Sequence, residues 1–162
     1  MRRLVFCKQT GTGKVPSSVF RSSILKLIVP MEPIFTAHLF PKLDAQLLTL
    51  LRSLTAEDWQ KRTVAPLWSV HDVALHLLDG NIRTVSMLRD GYFGVQPGEI
   101  HSYADLVAFL HKLNADWVTA MKRLSPTMLI DLLEHSGQQY NALMTSLDPF
   151  ETAMFSVAWA GE

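Results

Sequence analysis

One histidine on a capped helix start, with a carboxylate on either side of it, is the residue set in this chain most able to do chemistry. In Trp68-Ser69-Val70-His71-Asp72-Val73-Ala74-Leu75-His76-Leu77-Leu78 the imidazole of His76 falls a turn and a half into a predicted helix. A neutral imidazole there can ligate a divalent metal or serve as a base. Asp72 and Asp79 flank it at −4 and +3, on the adjacent helical face. Either could accept the second ring N–H of a metal-bound histidine, the usual outer-shell arrangement. The bland reading of the same residues is a helix cap for Asp72 and a solvated charge for Asp79.

The backbone under His76 should be firmly started. Ser69 is an N-cap candidate and Asp72, three residues on, completes a capping box; Trp68 and Val73 are placed to close a hydrophobic staple. On a helical wheel the apolar stripe of Val70, Val73, Ala74, Leu77, Leu78, Val85 and Leu88 centres about 135° away from His76. Periodicity alone therefore predicts a solvent-facing ring beside Gly80, Arg83 and Met87, although a wet cleft between helices would lie off the core stripe too.

The other five histidines offer little. His71 is five residues from His76, about 140° round the helix, so the two cannot share a metal on a regular helix. His38, His101, His111 and His135 are scattered over separate elements, and no H-x-x-x-H or H-E-x-x-H pattern occurs. Ser86 and Ser136 have no adjacent base in the sequence. Trp59, Trp68, Trp117 and Trp159 read as core residues. Gly11-Thr12-Gly13-Lys14 fails as a phosphate loop, because Lys8 and Val15 occupy positions where that loop needs Gly and Ser or Thr.

The elements that must position His76 read as helices. Leu43, Leu47, Leu50, Leu51 and Leu54 recur at helical spacing after Pro41, which suits a first turn. Thr55 to Asp58 repeats the capping pattern and starts a short turn ending near Trp59. The second helix runs from Ser69 to about Asp90 and stops at Gly91, before a loop reaching Glu99. A third begins at Ser102 and carries Leu106, Phe109, Leu110, Leu113, Trp117, Ala120, Met121 and Leu124 on one broad face. Ser125-Pro126 opens a fourth, ending before Pro149, and Ala153 to Trp159 looks extended. Connections are short, so neighbouring helices should pack antiparallel. The fold class is all-α, an antiparallel four-helix bundle with a short extended C-terminal tail.

Composition fits a soluble globular domain: 162 residues, 48% hydrophobic and 19% charged. A single cysteine, Cys7, rules out a disulfide framework or a Cys-based zinc site. The zero net charge is uneven. Residues 1–30 hold six Lys/Arg and no acid, leaving nine Lys/Arg against fifteen Asp/Glu, a net −6, in residues 31–162. An acidic body lacks the electrostatic footprint of a nucleic-acid binder. Residues 1–30 are expected to be a disordered extension or a misassigned start ahead of Met31, with a mitochondrial transit peptide as the alternative. Their apolar run, Ile24 to Val29, is too short to span a bilayer. A cytoplasmic protein without a membrane partner is the expectation.

Several blocks, in order, resemble one known family. They are L-F-P-K-L-D at 39–44, L-T-A-E-D-W at 54–59, A-P-L-W-S-V-H-D-V-A-L-H-L-L-D-G at 65–80, L-N-A-D-W at 113–117 and F-S-V-A-W-A-G-E at 155–162. Together they resemble the DinB-like / mycothiol-dependent maleylpyruvate isomerase N-terminal family over about residues 36–162. The resemblance implies a four-helix bundle holding one divalent metal, commonly zinc or nickel, on three side chains. His76 matches the first ligand, the histidine of the W-[ST]-V-x-D-x-x-x-H block. It implies a low-molecular-weight thiol such as mycothiol or bacillithiol as cosubstrate, and isomerisation or S-transfer of a small molecule as the reaction. The other two ligands belong to a helix expected after A-W-A-G-E, so the bundle of residues 31–162 is expected to be incomplete, inactive or weakly active alone, and prone to homodimerise through an uncovered face. The alternative is a non-catalytic helical module that binds a small molecule or a partner helix.

Overall fold

The computed structural model describes residues 34–152, and these are helical: α1 (Phe40–Ser53), α2 (Val70–Leu88), α3 (Tyr103–Met121) and α4 (Pro126–Ser146), with short 3₁₀ turns at Ala37–Leu39 and Asp58–Gln60. No strand is present among the described residues. The predicted fold class, a helical bundle, is what forms. The extended tail expected at Ala153 to Trp159, and the basic segment 1–30, lie outside the described residues.

Helices α2, α3 and α4 each start where a serine side chain satisfies a free N–H group, whereas α1 starts after Leu39 without a side-chain cap. Ser69 accepts from the Asp72 N–H while the Asp72 carboxylate accepts from the Ser69 N–H, closing the capping box. Ser125 caps α4 by accepting from the Met128 N–H, with Pro126 at the first helical position, where its lack of an N–H costs nothing. Ser102 caps α3 through the Asp105 N–H, but the returning bond comes from the His101 N–H rather than from Ser102 itself. Helix α2 ends on Gly91, whose φ of 64° is the left-handed conformation that glycine tolerates best. The Tyr92 N–H then reaches back to the Ser86 carbonyl at 3.0 Å, closing the helix end.

Packing does not follow sequence order. Helix α4 lies against both α2 and α1, while α3 packs on α2. The core is built from Leu48 and Leu51 of α1, Trp59, Ala74, Leu75 and Leu78 of α2, Val118 of α3, and Leu129, Ile130 and Leu133 of α4. Leu75, Leu78 and Leu129 are fully enclosed. Burying each such side chain contributes about 1.5–3 kcal/mol. Gly137 lets α1 and α4 approach, because a Cβ there would stand 2.8 Å from Asp44 Oδ2.

The broad apolar face expected on α3 is only partly used. The one buried residue of α3, Val118, is not among those expected on that face, and Leu106 and Leu110 on it remain exposed. A helix flanked by one neighbour buries a narrow strip. By contrast α2, flanked by α3 and α4, buries a wide one.

Candidate functional site

Residues 61–70 form a loop that folds back on itself before α2. The Thr63 N–H donates to the Trp68 carbonyl and the Val70 N–H to the Lys61 carbonyl, pinning Arg62 opposite Ser69. This delivers the Trp68 ring edge-on to His76, with centroids 5.0 Å apart. The staple partner expected for Trp68 was Val73; the aromatic contact recorded is with His76.

His76 is half-buried, not solvent-facing as its wheel position predicted. Its Nδ1 is shut from solvent and has no hydrogen-bond partner among the described residues. A buried polar atom without a partner costs free energy comparable to a lost hydrogen bond, so native chains rarely leave one idle. Burial lowers the pKa of the ring; Asp79 pulls it upward and Arg83 pushes it down. Near neutral pH the imidazole is therefore uncharged, with a lone pair available.

Asp79 corrects a second expectation. It is not a solvated charge but a buried carboxylate, 8% exposed. Burial raises its pKa, against the pull of Arg83 and of His76. Its ion pair with Arg83 is long, 3.4 Å. Asp72, by contrast, is committed to the capping box and to Lys122 at 3.4 Å. No bond to His76 Nδ1 comes from either carboxylate. His71 is also committed: its Nε2–H donates to the Leu124 carbonyl at 3.1 Å and its ring packs on Trp59.

The remaining histidines lie apart. His38 sits in the first 3₁₀ turn, His101 in a loop beside Glu99, His111 exposed on α3, and His135 exposed on α4, where it accepts from Gln139. Among the described residues no three His, Cys, Asp or Glu side chains gather into a metal-holding set. Tested against a divalent metal, the described residues fit as one arm, the His76 imidazole with its orphaned nitrogen, and do not complete a three-ligand site.

A cleft of about 290 Å³ opens on the same face of α2. His76, Asp79 and Arg83, at i, i+3 and i+7, share one helical stripe, and Asp79 and Arg83 line the cleft. Its walls come from the loop after Gly91 and from Leu113 and Trp117 of α3. Trp117 is held by its indole N–H, which donates to the Leu75 carbonyl at 2.8 Å. Outside the local helix backbone, no atom of the described residues lies within 4 Å of where a Cβ on Gly80, one turn after His76, would sit. The sequence singled out neither the loop aromatics nor Trp117 as part of a site. The one local signal was Tyr92-Phe93, an aromatic pair between two glycines in an otherwise polar loop.

No helix among the described residues is long and apolar enough to cross a membrane. No curated protein and no solved structure matches the chain. A family model does match: the mycothiol maleylpyruvate isomerase N-terminal domain, over residues 40–160.

Proposed function

Since the chain belongs to the mycothiol maleylpyruvate isomerase N-terminal domain family, we propose that it is a metal-binding domain of a thiol-dependent isomerase or S-transferase, with His76 as one metal ligand. The observation that carries this reading is the buried, partnerless Nδ1 of His76 on a capped helix. An imidazole kept neutral by burial is ready to donate a lone pair at physiological pH, and a metal bound there would let the ring's second nitrogen find an outer-shell acceptor. Asp79, buried one turn away, is the carboxylate placed for that role. The further ligands are those the family pattern puts on a later helix. Zinc or nickel is the expected ion, and mycothiol or bacillithiol the expected cosubstrate. Such an ion lowers the pKa of a coordinated thiol, making the reactive thiolate available near neutral pH.

Elemental analysis of the purified protein extended through the later, ligand-bearing helix tests this directly. About one equivalent of zinc or nickel per chain is expected in the wild type, falling to background in His76→Ala. Equal metal in the two proteins would remove His76 from the site.

A further inference from the structure

The cleft that Asp79 and Arg83 line, one turn along α2 from His76, has a chemical character that narrows what it can hold. Ile82, Phe93, Val95, Leu113 and Trp117 supply its apolar walls, and its charged groups are Asp79 and Arg83, paired with each other at 3.4 Å. A ligand carboxylate entering there would have to break that pair or shed its hydration against apolar walls, and neither is repaid. Small-molecule sites are typically about 300–1,000 Å³, apolar, with a few fixed polar groups, and this cleft sits at the lower end of that range. Phe93 and Val95 are 45% and 67% exposed, so the loop offers apolar surface to solvent at the rim.

We propose that this cleft binds the neutral, apolar, ring-sized part of the substrate, so that the molecule acted on beside His76 is a hydrophobic electrophile and not a small dicarboxylate. The inference rests on the reading of His76 as the reactive centre. The stripe His76, Asp79, Arg83 gives it a geometry: a ring seated on Leu113 and Trp117 lies along the same face of α2 as the imidazole.

The test uses N-phenyl-1-naphthylamine, a neutral aromatic probe whose fluorescence rises in apolar surroundings, and fumarate as the small dicarboxylate. Saturable binding of the probe to the wild-type protein is expected, weakened about tenfold or more by Val95→Glu and by Leu113→Glu, each of which sets a carboxylate against the ring. Val95 lies in an exposed loop, so that variant keeps the fold even if Leu113→Glu does not. Arg83→Gln should change probe binding less than about threefold, and fumarate should not displace the probe. Non-saturable binding, equal affinity in Val95→Glu, or displacement by fumarate that depends on Arg83 would overturn the proposal. Metal content separates the two readings. A protein whose metal survives His76→Ala, but whose probe binding needs Val95, keeps the apolar cleft and loses the metal ligand. The opposite pattern keeps the ligand and loses the cleft.

Discussion

Helix α2 carries two histidine–aspartate pairs, His71 with Asp72 and His76 with Asp79, in the same stretch of backbone but in different chemistry. In the first pair both side chains are hydrogen-bonded within the fold. His71 donates to a carbonyl, and Asp72 caps the helix and meets Lys122. In the second, the ring nitrogen has no partner and the carboxylate holds its arginine at 3.4 Å. The two aspartates are almost equally buried, 5% and 8%, yet their acidities move apart. Burial raises both. For Asp72 the bonds from Ser69 and the charge of Lys122 together outweigh it, and the net shift is downward. For Asp79 burial wins. Depth alone therefore does not separate a structural carboxylate from one held ready for other work; the count of satisfied oxygens does.

Variants that exchange these behaviours should break the contrast if it is wrong. Asp72→Ala carries the largest expected effect on folding, about 1–2 kcal/mol lost at pH 7 in urea unfolding, because it removes the capping box and leaves Lys122 unpaired. Its sign with pH follows from a folded pKa below 3.8. The stability Asp72 contributes is present above that value and is lost as pH falls through the folded pKa. The penalty of Asp72→Ala should therefore shrink in acid.

Asp79→Asn should do the reverse in metal-free protein. A raised folded pKa means the contribution is present at low pH and lost as pH rises through it, so the variant should be more stable than wild type at pH 7, by on the order of 1 kcal/mol. The same substitution should weaken zinc binding about tenfold or more, read by competition with a chromophoric chelator. A variant that loses stability and keeps its zinc affinity would place Asp79 with Asp72 as a purely structural group.

Acid should also act through His76. Its lowered pKa means that stability is present above 6.5 and lost as pH falls through the folded value. Thermal melts of metal-free wild type between pH 7.5 and 5 should show a decline that is reduced in His76→Gln. The smallest effect is Gly80→Ala. With open space at its Cβ, the variant should gain about 0.5–1 kcal/mol from helix propensity.

What the sequence made legible was local. The capping box at Ser69, the N-cap at Ser125, the first-turn prolines and the stop at Gly91 depend on residues within a few positions of one another, and each is found where its pattern lay. The family blocks point to His76 for the same reason. The wheel misplaced His76 because it assumes one buried stripe, whereas α2 is covered by α4 on one side and α3 on another. Leu77, counted in the stripe, is 40% exposed, and Leu75, outside it, is fully enclosed. On α3 the error ran the other way, for Leu106 and Leu110 meet no second neighbour. The cleft was illegible altogether, since Val95, Leu113 and Trp117 come together only when α3 docks on α2, and no local period encodes that.

The contrast between the two histidines can be read in one experiment: long-range ¹H–¹⁵N NMR of the imidazole rings while zinc is added to the metal-free protein extended through the later, ligand-bearing helix. A ring nitrogen of His76 should shift strongly and saturate with the metal, while the His71 resonances, locked by Leu124, stay in place. Unmoved His76 signals, or His71 and His76 shifting together, would contradict the assignment of His76 as the ligand.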